Sequence, residues 1–452
     1  MTPAQYAPQT IPRAALRGAG RGAAADRDGW LGLAHKILLY MLLEFTYIGL
    51  TPFSEASVSE RVEGSPLVRF VAIGMFALSL LIIFARRAET LRCIRDNWKF
   101  FLVLAVCLLS TLWSQYPDLT IRRAFLFLCI SFAGLGVAVS VVDLRLFHTR
   151  LFGFLTFVIV LNLAVTTLFP AQAISDIGVK GLYTQKNMAG LVAMVAVIVA
   201  VTWAFGCKTM LGQLLAIGSA VLSSFFLVIT LSKTSVGLLV VTLGFGFMFW
   251  VAQRLGPRFA ILAMAAGALV VAGILGTFIF NDFEWSKVLT TYVSDPTFTG
   301  RDELWAFAYK SAMKHPLLGH GYGAFWDVGA VNDPLAKLEP GTWLGDVDTG
   351  VINQAHNGYL ELALHIGFPA MLCAVWAVIS GVKAATRRAI ESPMLSARPA
   401  FAMIALILFV HVLHNFTEAT LFMRSNPFAN LVSMLIFLST FGVMRRPPRR
   451  AA

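Results

Sequence analysis

Charged residues are scarce. They make up only 13% of the 452-residue chain, about half the share carried by a soluble domain. Hydrophobic residues reach 58% and mean hydropathy is +0.74, so a water-soluble globular protein is excluded. Cysteine is scarce too: Cys93, Cys107, Cys129, Cys207 and Cys373 all fall in apolar runs or in segments read below as cytoplasmic, which excludes an external disulfide framework. No secretory signal is evident, because the polar stretch before the first apolar run is too long and no small-residue cleavage site clearly follows that run. A nucleotide cradle is missing as well, since no strand precedes the glycine cluster Gly319, Gly321 and Gly323.

What the chain has instead is apolar runs near the length needed to cross about 30 Å of hydrocarbon. They fall at about 35–53, 67–85, 100–114, 121–141, 151–169, 187–205, 213–232, 235–252, 259–280, 358–382, 399–416 and 428–443. This pattern predicts an all-α polytopic membrane protein of about twelve transmembrane helices with one large external loop. The expected division is a disordered basic tail over 1–34, nine spans over 35–280, the loop over 281–357, three spans over 358–443 and a basic tail over 444–452.

The formal net charge of +12 would suit nucleic acid if it were clustered on a soluble face. It is not. With loops assigned alternately, the set that includes the N-terminus holds 23 of the 36 Lys and Arg residues. The positive-inside rule then puts both termini in the cytoplasm and 281–357 outside. The basic excess is a topological signal, and nucleic acid is not an expected partner.

The external loop contains RDELWAFAYKSAMKH, which reads as a short amphipathic helix on the membrane surface. Thr299 and Asp302 resemble a capping box, Trp305, Tyr309 and Ala312 recur on one face, and Pro316 stops the helix. PLLGHGYGAFW follows, and its glycines suggest a tight turn with close backbone approach. The loop ends at QAHNG, where His356 stands at the mouth of the next apolar helix. The first N–H groups of such a helix favour anions.

GLYTQKNMAG (181–190), LSKTSVG (231–237), TGRDELWAF (299–307), HPLLGHGYGAFW (315–326) and AHNGYLELALHIG (355–367), in this order, resemble the O-antigen ligase and polysaccharide polymerase superfamily, and STLWSQYPDLTIRRA (110–124) fits its first half. The likeness is nearest to exopolysaccharide polymerases of the succinoglycan type. In the ligase pattern a Gly, Thr or Tyr stands three residues after Gly367, whereas this chain has Ala370.

The resemblance implies a glycosyltransferase of the bacterial inner membrane that needs no metal and no cofactor. Its substrate would be an undecaprenyl-diphosphate-linked oligosaccharide, polymerised into an exopolysaccharide or O-antigen at the periplasmic face. A chain-length regulator and export machinery are the further partners it suggests, beside the lipid bilayer. Two alternatives stay open: a ligase moving a finished glycan to lipid A core or another acceptor, and a flippase for the same lipid-linked oligosaccharide. A flippase, however, would be expected to carry its cations along an inner cavity, and many transporters show internal repeats.

A diphosphate at the membrane surface needs fixed cations. Arg122, Arg123, Lys186, Lys233, Arg301 and Arg424 all fall at outward helix ends or in the loop, against the topological preference. Plainer roles are open to most of them: Lys233 as a snorkelling lysine, Arg122 and Arg123 as headgroup anchors, Lys186 with Asn187 as a helix start, Arg301 as the partner of Glu303 or Asp302. His356 is the candidate base, because histidine is the side chain that is available neutral at ordinary pH. Arg301 is placed beside it as catalytic. Asn357, with Glu361, is expected to hold the ring or the helix start. His411, His414 and Glu418 share helical spacing that could hold zinc, and Asp346-Val-Asp348 resembles the Asp-x-Asp of sugar-nucleotide transferases. Polar groups in a wet cavity and a polar turn explain these two patterns better.

Overall fold

In hydrocarbon every backbone N–H and C=O has to find its partner inside the protein, so long apolar runs become helices. A computed structural model describes residues 29–53, 58–255, 301–336, 338, 339, 341, 343–346, 351–424 and 426–441. Among these, eight helices are long and apolar enough to cross a membrane: Glu60–Ala85, Pro117–Ser140, Leu144–Leu168, Lys186–Gly206, Met210–Ile229, Lys233–Val251, Gly358–Glu391 and Leu395–His414. Two shorter apolar helices, Trp98–Leu112 and Pro427–Leu438, match the third and last runs. The first run becomes the helix Trp30–Tyr47. The run at 259–280, Thr299, residues 1–28 and the C-terminal tail lie outside the described residues, whereas residues 30–34, expected within the disordered tail, are already helical.

Two expectations need correction. Residues 86–99 are not a plain loop: Arg87–Asp96 is helical, anchored by buried Thr90 and Cys93. The face of Arg301–Ala312 that packs on Gly358–Glu391 carries Leu304, Ala308 and Ala312. The expected face overlaps this one only in part: Ala312 is shared, Trp305 is half-buried, and Tyr309 is exposed although its ring meets Phe368.

The centre of the bundle is built from Pro117–Ser140, Lys186–Gly206, Arg398–His414 and Pro427–Leu438, all mostly buried. Lys186–Gly206 is rich in Ala, Gly and Val and packs against four other helices. Small side chains allow that close approach. The outer helices keep large apolar side chains exposed, such as Phe70, Phe84 and Leu211, as a lipid-facing surface requires.

One break in a helix positions the loop. Gly358–Glu391 is interrupted at Gly367, which has φ 80, two residues before Pro369. Pro369 has no N–H to offer the His365 carbonyl. Phe368 N donates to the Pro316 carbonyl instead of to Leu364. The two freed carbonyls are taken by the glycine-rich turn, with His320 N donating to Leu364 O at 2.8 Å and Gly321 N to His365 O at 3.0 Å. The turn has to come this close: a Cβ on Gly319, which has φ 69, would lie 2.5 Å from the His365 carbonyl carbon.

Cross-links between distant segments show which helix ends lie together. Arg61 pairs with Asp327, Phe53 N donates to Leu182 O, Trp113 Nε1 donates to Leu318 O, and His356 meets Glu418. All of these join helix ends that the sequence reading puts on one side. At the opposite end His35 meets Ser140, and Asn97 meets Thr440.

Candidate active site

His356 sits in a turn held from several directions. Its own φ is 47, a left-handed conformation that costs a non-glycine residue about 1–2 kcal/mol and persists only where the surroundings impose it. They do. The Trp305 indole donates to the Ala355 carbonyl at 3.0 Å, and Ala355 N donates to Glu361 Oε2 at 2.7 Å. Glu361 is fully buried, also accepts from Trp326 Nε1 at 3.0 Å, and meets His365 Nε2 at 3.2 Å. Glu361, expected to hold the ring or the helix start, instead holds the Ala355 backbone.

The helix mouth itself is closed to an anion. Asn357 Oδ1 accepts from Tyr359 N and Leu360 N, both at 3.1 Å, and Gly358 N donates to Asn415 O at 2.8 Å. The free N–H groups expected from the sequence therefore all have partners. Asn357 acts as the cap.

His356 Nδ1 lies 3.0 Å from Glu418 Oε2. The carboxylate's other oxygen accepts from Asn187 Nδ2 at 3.0 Å, and Asn187 Oδ1 accepts from Ser232 Oγ, which in turn bonds Ser235 Oγ at 3.0 Å. The Glu418 side chain is 10% exposed and that of His356 30%. A carboxylate at Nδ1 keeps the proton on that nitrogen, which leaves Nε2 with a free lone pair. The chain of contacts unites QAHNG, YTQKNMAG and LSKTSVG, which are far apart in sequence.

Close packing maintains these contacts. Gly190 sits where a Cβ would come 2.5 Å from Ser232 Cβ, and a Cβ on Gly358 would run into the Asn415 amide. Gly358→Ala is therefore expected to lower stability by about 1–3 kcal/mol and to separate His356 from Glu418. Thermal unfolding of the detergent-solubilised protein checks the first effect and transfer activity the second. Unchanged values of both would show that the turn adapts.

The remaining candidates divide into groups. Lys233 opens its helix beside Ser232 and is exposed. Lys186 precedes Asn187 and donates to the Ile177 carbonyl at 2.9 Å. Arg301 opens the helix that carries Trp305, and its side chain is outside what the structure describes. Arg122, Arg123 and Arg424 lie together, at a separate cavity. Arg123 is buried and donates to the carbonyls of Gly323, Trp326, Asp327 and Arg61. It holds the 323–327 turn, whose Trp326 meets Glu361.

Sequence reasoning passes over Ser232, Arg61 and Arg69, and leaves Asn187, with Lys186, open between a site role and a helix start. Helical spacing groups Glu418 with His411 and His414. Its carboxylate faces His356 and Asn187, whereas both histidines turn to Thr420 and stand edge-on to the Phe428 ring. Asp346 accepts from Gly341 N in a polar turn, and Asp348 lies outside the described residues.

Two comparisons with known proteins bear on this arrangement. Residues 218–375 match the model of the O-antigen ligase family. Over 234 residues the chain is 24% identical to the exopolysaccharide production protein ExoQ of Rhizobium meliloti (strain 1021), an overlap covering 51% of this chain and 52% of that protein. The chain thus spans about half the length of the curated relative it matches. LSKTSVG, the glycine-rich turn and the His356 junction all lie inside 218–375. The resemblance read from the motifs is supported at both points: residues 218–375 of this helical chain match the O-antigen ligase family model, and the overlap with the exopolysaccharide production protein points the same way.

Proposed function

We propose that the chain is a metal-independent glycosyltransferase that polymerises undecaprenyl-diphosphate-linked repeat units at the outer face of the bacterial inner membrane. The observation that carries this reading is the His356–Glu418 pair tied to Asn187 and Ser232. An acceptor hydroxyl oxygen attacks the anomeric carbon of the donor sugar. The bond from that carbon to the phosphate oxygen breaks, polyprenyl diphosphate leaves with the electron pair, and the hydroxyl proton passes to His356 Nε2. Glu418 steadies the imidazolium that forms. Diphosphate is a good leaving group once its charge is neutralised, so the neighbouring cations Lys233 and Lys186, with Arg301 as a further partner, complete the requirement. The reaction then has no step that calls for a metal ion.

The relative's designation as an exopolysaccharide production protein favours polymerisation over ligation. A deletion strain separates the two: loss of a polymerase leaves single repeat units, whereas loss of a ligase accumulates long chains on the lipid carrier. Long carrier-bound chains would overturn the polymerase reading. Orientation is tested by alkaline phosphatase fusions, expected active after residue 330 and inactive after residue 90. The reverse pattern would move the whole site to the cytoplasmic face.

Arg301→Ala and Lys233→Ala are each expected to lower product formation about tenfold to a hundredfold, the worth of a charge-assisted contact, at unchanged membrane levels of the protein. Product yields per unit of membrane-inserted protein check this. Near-normal yield from both variants would remove the two residues from the site.

A further inference from the structure

Arg61, Arg69, Arg122, Arg123 and Arg424 line a cavity of about 150 Å³ between the Pro66–Ala85 and Pro117–Ser140 helices. His356, Lys186 and Lys233 do not line it. The lining holds one carboxylate, Glu63. Arg61 is paired with Asp327 at 3.0 Å, and Arg123 is committed to the loop carbonyls. The other three guanidinium groups meet no carboxylate among the described residues. Arg69 reaches only the Gly64 carbonyl, and Arg122 only those of Asp118 and Glu63. The guanidinium of Arg424, half-buried beside Gly323, has no hydrogen-bond partner among the described residues. Burial draws its pKa below the ordinary guanidinium value. The Asp327 and Glu361 carboxylates oppose that shift without cancelling it, and a cation whose desolvation is not fully offset is relieved by an anion.

The rest of the cavity wall is apolar. Ile73, Phe125 and Leu126 line it, and Ile73 and Phe125 are exposed on helices that present other large apolar side chains to lipid. A cationic rim over a lipid-facing wall suits a phosphate ester that carries a hydrocarbon tail.

Polymerisation by the chemistry above consumes two lipid-linked glycans. The donor loses its diphosphate, while the acceptor keeps its own, set apart from the attacking hydroxyl by the length of its glycan. The acceptor's charge therefore needs a second anion site away from the base. Resting on the transferase reading, we infer that the arginine cavity holds the polyprenyl diphosphate of the acceptor, while the His356 group acts on the donor. A phospholipid headgroup offers the same chemistry and is the competing source.

The test uses the full chain in nanodiscs of zwitterionic lipid. One lipid-linked donor, its own acceptor hydroxyl blocked, is offered to two acceptors with the same glycan, one on a polyprenyl diphosphate and one on a neutral alkyl chain. The wild-type chain is expected to elongate the diphosphate-bearing acceptor at least about tenfold faster. Arg69→Gln combined with Arg122→Gln is expected to remove most of that preference by raising the half-saturating concentration of that acceptor. Both residues are exposed, so folding is not at stake. No preference in the wild-type chain, or full preference in the variant, overturns the inference. Loss of the preference when phosphatidylglycerol is added would assign the cavity to a phospholipid headgroup and likewise overturn it. A wild-type chain that elongates neither acceptor would instead overturn the transferase reading beneath it.

Discussion

His356→Ala is expected to abolish polymer formation in a strain that depends on this chain, with the variant protein still inserted at normal levels. General-base catalysis contributes about 10²–10⁴-fold, and at His356 the ring is also the group that the turn is shaped to present. The Ala355 peptide is pinned on both sides, by Trp305 and by Glu361, and the histidine backbone is held at φ 47. A cap alone would not need this, since Asn357 already caps the helix. His356→Gln, which can orient a hydroxyl but not take its proton, is expected to retain at most a small residue of activity. Wild-type polymer yield from His356→Ala would reduce the residue to a turn former.

Glu418→Gln is the second large effect. It preserves size but removes the negative charge that fixes the imidazole tautomer and balances its protonated form, a role worth up to about 10⁴-fold in other carboxylate–histidine pairs. The loss is expected in kcat, with KM changed little, because Glu418 contacts His356 and Asn187 and acts through the ring. Glu418→Asp should recover part of the activity. A loss confined to KM would mean that Glu418 contacts the substrate itself, and equal losses in Glu418→Gln and Glu418→Asp would point to a packing role.

Much of this was legible in the sequence, for reasons that can be named. Apolar runs separated by short charged segments mark helices because hydrocarbon forces backbone pairing within each segment. The ordered motifs marked His356, and also the stretches that hold Asn187 and Ser232. Glu418 was misgrouped because helical spacing was carried past the end of the helix: Arg398–His414 stops at its cap, Asn415, and the turn that follows swings the carboxylate to a residue 62 positions away. The arginines posed a different difficulty. Alternating topology put Arg122 and Arg123 at the same helix end, but only the folded 323–327 turn separates an arginine holding carbonyls from one facing a cavity. The interruption at Gly367 was missed because the apolar run continues through it, although a glycine two residues before Pro369 is the signal for such a break.

The most direct measurement is an in vitro assay of the purified full chain in lipid nanodiscs with an undecaprenyl-diphosphate-linked repeat unit, in the presence of EDTA, with product length resolved on a gel. The expected result is a ladder of polymer from the wild-type chain, unchanged by the chelator and absent from His356→Ala. No ladder from the wild-type chain, a ladder from His356→Ala equal to that of the wild type, or a loss in EDTA that zinc restores would contradict the account.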